Sequence, residues 1–304
     1  MVDITDKINT LRYARAQATV KVSRQETIDA ITNKTVPKGD VFEMSKAAAL
    51  LAVKHTSNVI PDCHPLPIEF ASVKFVIEEL EIIIETEVKT IYKTGVEVEA
   101  MHGASVAALT VYDMLKPIDK NIEICKIKLL EKKGGKTDFK EEFCKSLNAA
   151  VIVCSDSIST GRKEDRAGKV IVDKLESLKI NIFEYTVIPD DINRIKDKVT
   201  KLVDEKVNMI IMTGGTGLSP RDNTPEAIEP MLERNIPGIA EAMRSYGQQR
   251  TPYSMLSRSV SGLIKDTLVL ALPGSTKGSK ESMDALFPFV IHVFEVMEAM
   301  RHDS

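Results

Sequence analysis

Residues 211–224 read Ile-Met-Thr-Gly-Gly-Thr-Gly-Leu-Ser-Pro-Arg-Asp-Asn-Thr, and this stretch decides how the second half of the chain folds. Its first residues end an apolar run at 207–212 that predicts a buried strand, and a helix start is predicted at 223–226. The turn between them carries bare backbone amides and hydroxyl groups, supplied by Thr213, Gly214, Gly215, Thr216 and Gly217. Because such amides and a helix N-terminus attract anions, this turn predicts a phosphate site.

Strands and helices alternate on both sides of this turn. The predicted strands are 149–154, 182–188, 207–212 and 268–272, and the predicted helices include 167–179, 191–206 and 279–301. The alternation predicts a parallel, doubly wound α/β sheet with crossovers on both faces. Ligands of such sheets bind beyond the carboxyl ends of the strands, where four polar clusters occur: Ser155-Asp156, Pro189-Asp190, Thr213 to Asp222, and Pro273 to Lys280.

A glycine-rich turn alone is weak evidence, because it can be merely a tight connection. Here it coincides with Arg221, Asp222 and polar ends on three other strands, which favours a nucleotide or phosphate site. Asp190 and Asp222 are each more simply helix caps, whereas together beside a phosphate cradle they could hold Mg²⁺. Lys277 and Lys280 could neutralise a polyphosphate or form a solvated helix face.

The first half of the chain has a different order of predicted strands and helices. Its predicted strands are 14–23, 70–77, 80–92 and 122–130, and its predicted helices are 41–56 and 102–116. Few strand–helix–strand alternations occur, so an antiparallel α+β domain is predicted over residues 1–146, followed by the second domain at 147–304. The charged, poorly periodic residues 131–147 predict the end of the first domain and a linker.

One face of the predicted helix 102–116 carries an acid that needs a partner. Asp113 lies near the helix C-terminus, where the macrodipole disfavours an anion, and Lys116 one turn on could compensate it. A surface ion pair is the simpler interpretation.

Glu97 and Glu99 alternate, which predicts the solvated face of an extended edge strand. His64 lies in a proline-rich loop and is better placed for a ligand than an average histidine.

Composition narrows the class of protein. The 41 basic and 44 acidic residues give a net charge of -3, so no overall attraction to nucleic acid or to an anionic membrane is expected. Aromatic residues make up only 5% and Trp is absent, which disfavours base stacking. The cysteines are scattered along the chain, at Cys63, Cys125, Cys144 and Cys154, and the N-terminus lacks the apolar core of a signal peptide. Both features predict a soluble, cytoplasmic protein.

The second half resembles the MogA/MoaB family of molybdopterin-binding proteins from about residue 148 to the C-terminus. The shared motifs are Ser155-Asp156, Ile188-Pro189-Asp190, Thr213 to Gly217, Arg221-Asp222-x-Thr224-Pro225 and Leu272-Pro273-Gly274. The resemblance implies a three-layer α/β fold, a trimer or a dimer of trimers, and adenylation of molybdopterin by ATP with Mg²⁺, which releases pyrophosphate. Asp190 and Asp222 are then the essential, metal-holding acids, and the implied ligand contacts are Asp156, the glycine turn, Arg221, Pro273, Gly274 and Ser275.

The first half resembles the MoaC family, cyclic pyranopterin monophosphate synthase, over about residues 1 to 140. The shared motifs are Lys38-Gly39-Asp40-Val41, Cys63-His64-Pro65-Leu66, Thr94-Gly95-Val96-Glu97, the run from Ala104 to Met114, and Gly134-Gly135-Lys136. The resemblance implies a ferredoxin-like fold and a hexamer of dimers with its site at the dimer interface. No metal-ligand spacing is visible in this half, so no obligatory metal or cofactor is predicted. The reaction converts (8S)-3',8-cyclo-7,8-dihydroguanosine 5'-triphosphate to cyclic pyranopterin monophosphate and pyrophosphate.

Site positions in the first half follow from the same resemblance. Asp113, Lys54 and Lys116 take the catalytic positions, and the substrate contacts are Lys38, Cys63, His64, Glu97, Val98, Glu99 and Lys136. Two departures occur: Asp62 replaces an expected apolar residue, and the segment after Lys136 is one residue short.

Together the two resemblances predict a bifunctional, homo-oligomeric enzyme of molybdenum cofactor biosynthesis, with other enzymes of that pathway as possible partners. Two alternatives remain for the second half. It could be a non-catalytic pterin-binding or scaffold module, or a nucleotide-sensing regulator that binds ATP without a pterin.

Overall fold

The computed structural model describes residues 1–135, 138 and 146–302, the last four of them by backbone only. The chain forms two compact units, Met1–Phe139 and Lys140–Ser304. Lys136 and Cys144 lie outside the described residues, as does most of the predicted linker 131–147.

The first unit is an antiparallel four-stranded sheet with helices. Its elements in chain order are β1 (Thr10–Lys21), α1 (Gln25–Thr32), α2 (Val41–Lys54), α3 (Thr56–Val59), β2 (Phe70–Glu78), β3 (Glu81–Tyr92), α4 (Glu97–Leu115) and β4 (Glu123–Lys133). The strands lie in the order β2-β3-β1-β4, and each neighbouring pair is antiparallel. This unit therefore has the predicted α+β content.

Small side chains let the helices approach one another and the sheet. Alternate residues of β1, namely Ala14, Ala16 and Ala18, are fully buried in one core cluster with the alanines of α4. Gly103 of α4 lies so close to α2 that a Cβ atom there would stand 2.6 Å from Val53 Cγ2. A larger residue at position 103 would force the two helices apart.

Helix α4 begins one turn earlier than predicted. Glu97 and Glu99 lie in its first turn, so their assignment to an extended edge strand is wrong. Glu99 is only 2% exposed and therefore does not belong to a solvated face. The N-cap residue Val96 makes no side-chain capping bond, which explains why the sequence shows no start signal there.

The second unit is a six-stranded sheet between two layers of helices. Its elements are β5 (Asn148–Cys154), α5 (Asp156–Ser159), α6 (Ala167–Ser177), β6 (Asn181–Ile188), α7 (Ile192–Asp204), β7 (Met209–Thr213), α8 (Thr224–Ile228), β8 (Arg234–Asn235), α9 (Pro237–Gln248), β9 (Val260–Ile264), β10 (Thr267–Leu272), α10 (Thr276–Leu286) and α11 (His292–His302). The strand order is β6-β5-β7-β10-β9-β8.

Both faces of this sheet are buried, which makes the unit three layers deep. Along β7, Met209 and Ile211 belong to one core cluster, whereas Ile210 and Met212 belong to another. All four side chains are fully buried. A strand buried on both faces needs a continuous apolar run rather than alternation, and this is why 207–212 was recognisable in the sequence.

Two predictions for this unit are wrong in part. The sheet is mixed: β6, β5, β7 and β10 are parallel, but β9 runs antiparallel to both of its neighbours, β10 and β8, near one edge. The β9–β10 hairpin turns at Lys265, whose φ is 52°, without the glycine that would signal such a turn. The closing helix 279–301 is two helices, and Pro288 lies in the break.

No helix in the described part of the chain is both long enough and apolar enough to cross a membrane.

Candidate functional site

The parallel strands of the second unit end at an open cleft of about 380 Å³. The cleft is lined by eight of the predicted site residues: Asp156, Asp190, Thr213, Gly214, Gly215, Arg221, Asp222 and Gly274. Thr216, Gly217, Pro273 and Ser275 adjoin the cleft in sequence but are not part of its lining. Residues far apart in sequence thus meet at one sheet edge, as expected for parallel strands.

The glycine turn is held too tightly for side chains. Gly214 has a φ of 101°, and a Cβ atom there would lie 2.1 Å from Cys154 O. Gly215 has a φ of 63°, and its Cβ atom would lie 2.3 Å from Asp190 Oδ2. These positions require glycine both for the left-handed backbone and for the close approach to β5 and to the acid.

Hydroxyl groups near the turn bind the protein's own carbonyls. Thr213 Oγ1 donates to Pro273 O at 2.9 Å, and Thr216 Oγ1 donates to Leu272 O at 3.4 Å. Both threonines are buried. Ser275 accepts a hydrogen bond from Gly278 N at 3.0 Å and caps α10. The two threonine side chains therefore fix the turn against the end of β10, and Ser275 fixes the start of α10.

The acids of the cleft are not helix caps. Asp191, rather than Asp190, caps α7 by accepting a hydrogen bond from Arg194 N, and Asn223 precedes α8. Asp222 Oδ2 instead accepts a hydrogen bond from Ser219 N at 2.8 Å. The simpler interpretation of Asp190 and Asp222 as caps is therefore wrong.

Asp190 lies in an acidic environment. Its backbone N donates to Asp156 Oδ1 at 3.2 Å, and its own Oδ1 accepts a hydrogen bond from Asn223 N at 3.2 Å. Burial, together with the charges of Asp222 and Asp156, raises the pKa of Asp190 to about 6. No lysine, arginine or histidine in the described residues forms an ion pair with it.

This donor set fits a hard divalent cation. Nowhere in the described residues do three His, Cys, Asp or Glu side chains gather as a metal-holding group. Asp190 and Asp222 could still supply two carboxylates, because Mg²⁺ keeps several waters and completes its shell with substrate phosphate oxygens. A cation there would also offset the mutual repulsion of the acids.

The cleft also contains cations, not all of them expected. Lys163 and Arg221 are exposed side chains in the lining, and sequence reasoning missed Lys163 because it lies in the charged loop before α6. Lys277 and Lys280 are absent from the lining. Lys277 is 71% exposed and lies 3.8 Å from Glu281 on its own helix, so the solvated-face interpretation fits both lysines better.

A second missed residue is the buried acid Asp165. It is 6% exposed, lines the cleft and accepts a hydrogen bond from Gly168 N at 3.0 Å. The Tyr185 hydroxyl donates to its other carboxylate oxygen. Burial, and then this acid, raise the pKa of Tyr185. An aspartate three residues before a glycine at a helix start was the available signal.

In the first unit, Asp113 is held between two lysines. Lys38 Nζ and Lys116 Nζ each lie 2.7 Å from one of its carboxylate oxygens, and Lys38 also donates to Asp113 O. The hydrogen bonds from Lys116 and then Lys38 lower the pKa of Asp113 to about 2. We call these residues the aspartate group.

A second group, the cysteine group, surrounds the start of α4 and consists of Cys63, His64, Glu97 and Glu99. Cys63 Sγ donates to Glu99 Oε1 at 3.0 Å, and burial raises the pKa of both side chains, that of Cys63 to about 12. His64 Nε2 lies 2.8 Å from Val2 O, and Glu97 lies 3.5 Å from Lys132 Nζ. The neighbouring Val98 is 43% exposed.

The two groups lie at opposite ends of a helix pair. Lys38, before α2, contacts Asp113 near the end of α4, whereas Val53, at the end of α2, packs against Gly103. Lys54, the last residue of α2, thus lies at the same end of the helix pair as the cysteine group. At 1.5 Å per residue, Glu99 and Asp113 are separated by about 21 Å along α4. One chain therefore does not bring Lys54 to Asp113.

Arg12 is a further residue that sequence reasoning missed. It is 7% exposed, and its guanidinium donates to Tyr92 O at 3.1 Å and to Lys93 O at 3.2 Å. These bonds hold the connection from β3 to α4, which carries Glu97. Burial lowers the pKa of Arg12, and the charge of Glu97 opposes that effect.

Comparisons with known proteins agree with this division. Residues 1–135 match the MoaC family, and residues 150–292 match the family described as "Probable molybdopterin binding domain". A "Molybdenum cofactor biosynthesis bifunctional protein" of Chlorobaculum tepidum is 37% identical over 302 residues, 99% of this chain and 96% of that protein. A protein of the same name from Synechococcus elongatus is 34% identical over 100% of this chain and 99% of its own length.

A third relative covers the first unit alone. The "Cyclic pyranopterin monophosphate synthase" of Syntrophomonas wolfei is 48% identical over 139 residues, which is 45% of this chain and 88% of that protein. The full-length similarity joins both units in the same order. The chain therefore belongs to the family of bifunctional molybdenum cofactor biosynthesis proteins, with a MoaC domain followed by a MogA/MoaB-type domain.

Proposed function

We propose that the first unit converts (8S)-3',8-cyclo-7,8-dihydroguanosine 5'-triphosphate to cyclic pyranopterin monophosphate and pyrophosphate. The observation that carries this is the MoaC match over residues 1–135, together with a 48% identical relative that is named as that synthase. The sheet order β2-β3-β1-β4, with helices between β1 and β2 and between β3 and β4, supports a ferredoxin-like fold.

The first unit's side chains suit this reaction. Lys38 and Lys116 present positive charge beside an ionised Asp113, which suits a triphosphate and its pyrophosphate leaving group. Glu99 is buried with a raised pKa, which suits a carboxylic acid that moves protons during ring opening and closure. Because the two groups are about 21 Å apart in one chain, we place the complete site between two copies of the chain.

We propose that the second unit binds molybdopterin and adenylates it with ATP. A terminal phosphate oxygen of the pterin attacks the α-phosphorus of ATP, the bond to the β-phosphate oxygen breaks, and pyrophosphate leaves. The convergence of the glycine turn with Asp190 and Asp222 in one cleft carries this proposal. Mg²⁺ held by those two acids would neutralise charge on the transferred and leaving phosphates.

The chain's own groups position the reactants. Gly214 and Gly215 of the glycine turn line the cleft, so a phosphate bound there would lie beside bare backbone rather than side chains. Arg221 and Lys163 line the same cleft and offset phosphate charge. Asp156, which accepts a hydrogen bond from Asp190 N, orients that acid at the nucleotide end. Positioning and fixed charge are the main means of catalysis for phosphoryl and nucleotidyl transfer.

Separate assays of two single variants test both proposals. Asp113→Asn should abolish pyranopterin formation and leave pyrophosphate release from ATP, Mg²⁺ and molybdopterin unchanged. Asp222→Asn should do the reverse. Loss of both activities in either variant would contradict the two-site proposal. Tight pterin binding by the unmodified chain without pyrophosphate release would instead favour the non-catalytic binding module, and ATP binding without pterin dependence would favour the sensor.

A further inference from the structure

Arg258 contacts the glycine turn from a distant part of the sequence. It lies just before β9, in a segment that sequence reasoning did not connect with the cleft. Its backbone N donates to Thr216 O at 3.0 Å, and its side chain is 33% exposed. The main chain of Arg258 therefore binds the turn independently of the contacts that its guanidinium makes.

The guanidinium joins both ends of the loop 217–222. Arg258 Nε donates to Gly217 O at 2.7 Å, and Nη2 donates to Asp222 O at 2.7 Å. Nη1 forms an ion pair with Glu226, and this hydrogen bond is the first cause of the lowered pKa of that glutamate. The donors of the planar fork are thus directed at the protein rather than at a ligand.

The loop that is joined in this way carries two of the cleft's charged residues. Asp222 and Arg221 both lie in it, and Ser219 N donates to Asp222 Oδ2 at 2.8 Å inside it. Two short bonds to Gly217 O and Asp222 O fix the separation of the loop ends. A lysine could reach one carbonyl but could not match the fork.

We propose that Arg258 is a positioning residue of the cleft, which holds Asp222 and the glycine turn in register without touching the ligand. The kinetic consequence rests on the adenylation proposed above, whereas the effect on the loop does not. Arg258 contributes geometry, so its loss should act on the rate of the chemical step more than on the affinity for ATP.

We call the bonds from Arg258 to Gly217 O and Asp222 O the clamp. Hydrogen exchange of the full-length chain, without nucleotide or pterin, tests the clamp directly. In Arg258→Met, the amides of Ser219 and Asp222 should exchange at least about tenfold faster, because two bonds that order the loop are lost. Arg258→Lys should exchange at an intermediate rate. Arg250→Met is the matched control, because Arg250 lies over the Tyr246 ring in the same unit. In that variant, loop 217–222 should exchange at the same rate as in the unmodified chain.

Pyrophosphate release provides the second measurement. For Arg258→Met we expect kcat to fall about 100-fold and the KM for ATP to change less than about threefold. If this variant does not fold, Arg258→Lys and Glu226→Gln carry the test, with smaller changes in the same direction.

Three outcomes overturn the clamp. These are unchanged exchange of the loop in Arg258→Met, exchange in Arg258→Lys equal to that of the unmodified chain, or exchange that rises equally in β9 and β10, which indicates general destabilisation. Faster exchange confined to the loop in Arg258→Met supports the clamp even if the unmodified chain releases no pyrophosphate, and that absence of release overturns only the adenylation proposal.

Discussion

The two units differ in how they bring charged residues together. In the second unit, four parallel strands end at one edge, and residues from Asp156 to Gly274 line a single cleft. In the first unit, the candidate residues lie at both ends of the α2–α4 pair, with Glu99 and Asp113 about 21 Å apart. A parallel α/β sheet concentrates strand ends, whereas an antiparallel α+β sheet distributes them. The site proposed for the first unit therefore needs another copy of the chain, whereas one chain supplies the residues that line the second unit's cleft.

Mixing inactive variants is the strongest test of this difference. Asp113→Asn and Lys54→Met should each lose at least about 1000-fold in pyranopterin formation. In mixed dimers one of the two sites regains both residues, so random mixing should restore about a quarter of the sites. The assay is pyranopterin formation after the variants are co-expressed or exchanged.

The second unit provides the control for that experiment. Asp190→Asn mixed with Asp222→Asn should restore no adenylation, because one chain supplies both acids. Recovery in that mixture, or none in the first, would remove the distinction between the two units.

The glycine turn should tolerate no side chain. Gly214→Ala places a Cβ atom 2.1 Å from Cys154 O at a φ of 101°, so backbone must move. We expect the second unit to lose about 3 kcal/mol of unfolding free energy. Gly238→Ala is the control, because nothing lies within 4 Å of that Cβ and the site is helical. Urea denaturation of both variants measures the effect, and equal stability would mean that the turn is not tightly packed.

A lysine in the cleft lining and a lysine outside it should have different effects on KM. Lys163→Ala should raise the KM for ATP or pterin about tenfold, because it removes a cation from the cleft lining. Lys280→Ala should change it less than about twofold, since that side chain is exposed outside the lining. Steady-state pyrophosphate release gives both values. A larger effect for Lys280 would mean that the polyphosphate extends over α10.

The smallest effect concerns the acid of the aspartate group. Carboxyl NMR should give Asp113 a pKa of about 2, and Lys116→Met should raise it toward the ordinary value of 3.8. Because the pKa is lowered in the folded state, the stabilisation by ionised Asp113 is present above pH 3.8 and is lost as the pH falls toward 2. Lys46→Met on the same unit is the control and should leave the pKa of Asp113 unchanged. An unchanged pKa in Lys116→Met would show that the ion pair does not form in solution.

Local patterns alone determined much of this protein. The apolar run before Thr213, the glycines after it, the acids that follow the strands and the lysine after Asp113 were all recognisable, because each depends on neighbours within a few residues. Motif order identified both families for the same reason. The predicted place of Lys136 is untested, since it lies outside the described residues.

Only the tertiary structure decided what depends on distant contacts. The helical placement of Glu97 and Glu99, the antiparallel edge formed by β9, the raised pKa of Asp190 and the clamp by Arg258 all arise between segments far apart in the chain. No local pattern encodes these features, because burial and charge proximity are properties of packed elements rather than of residue spacing.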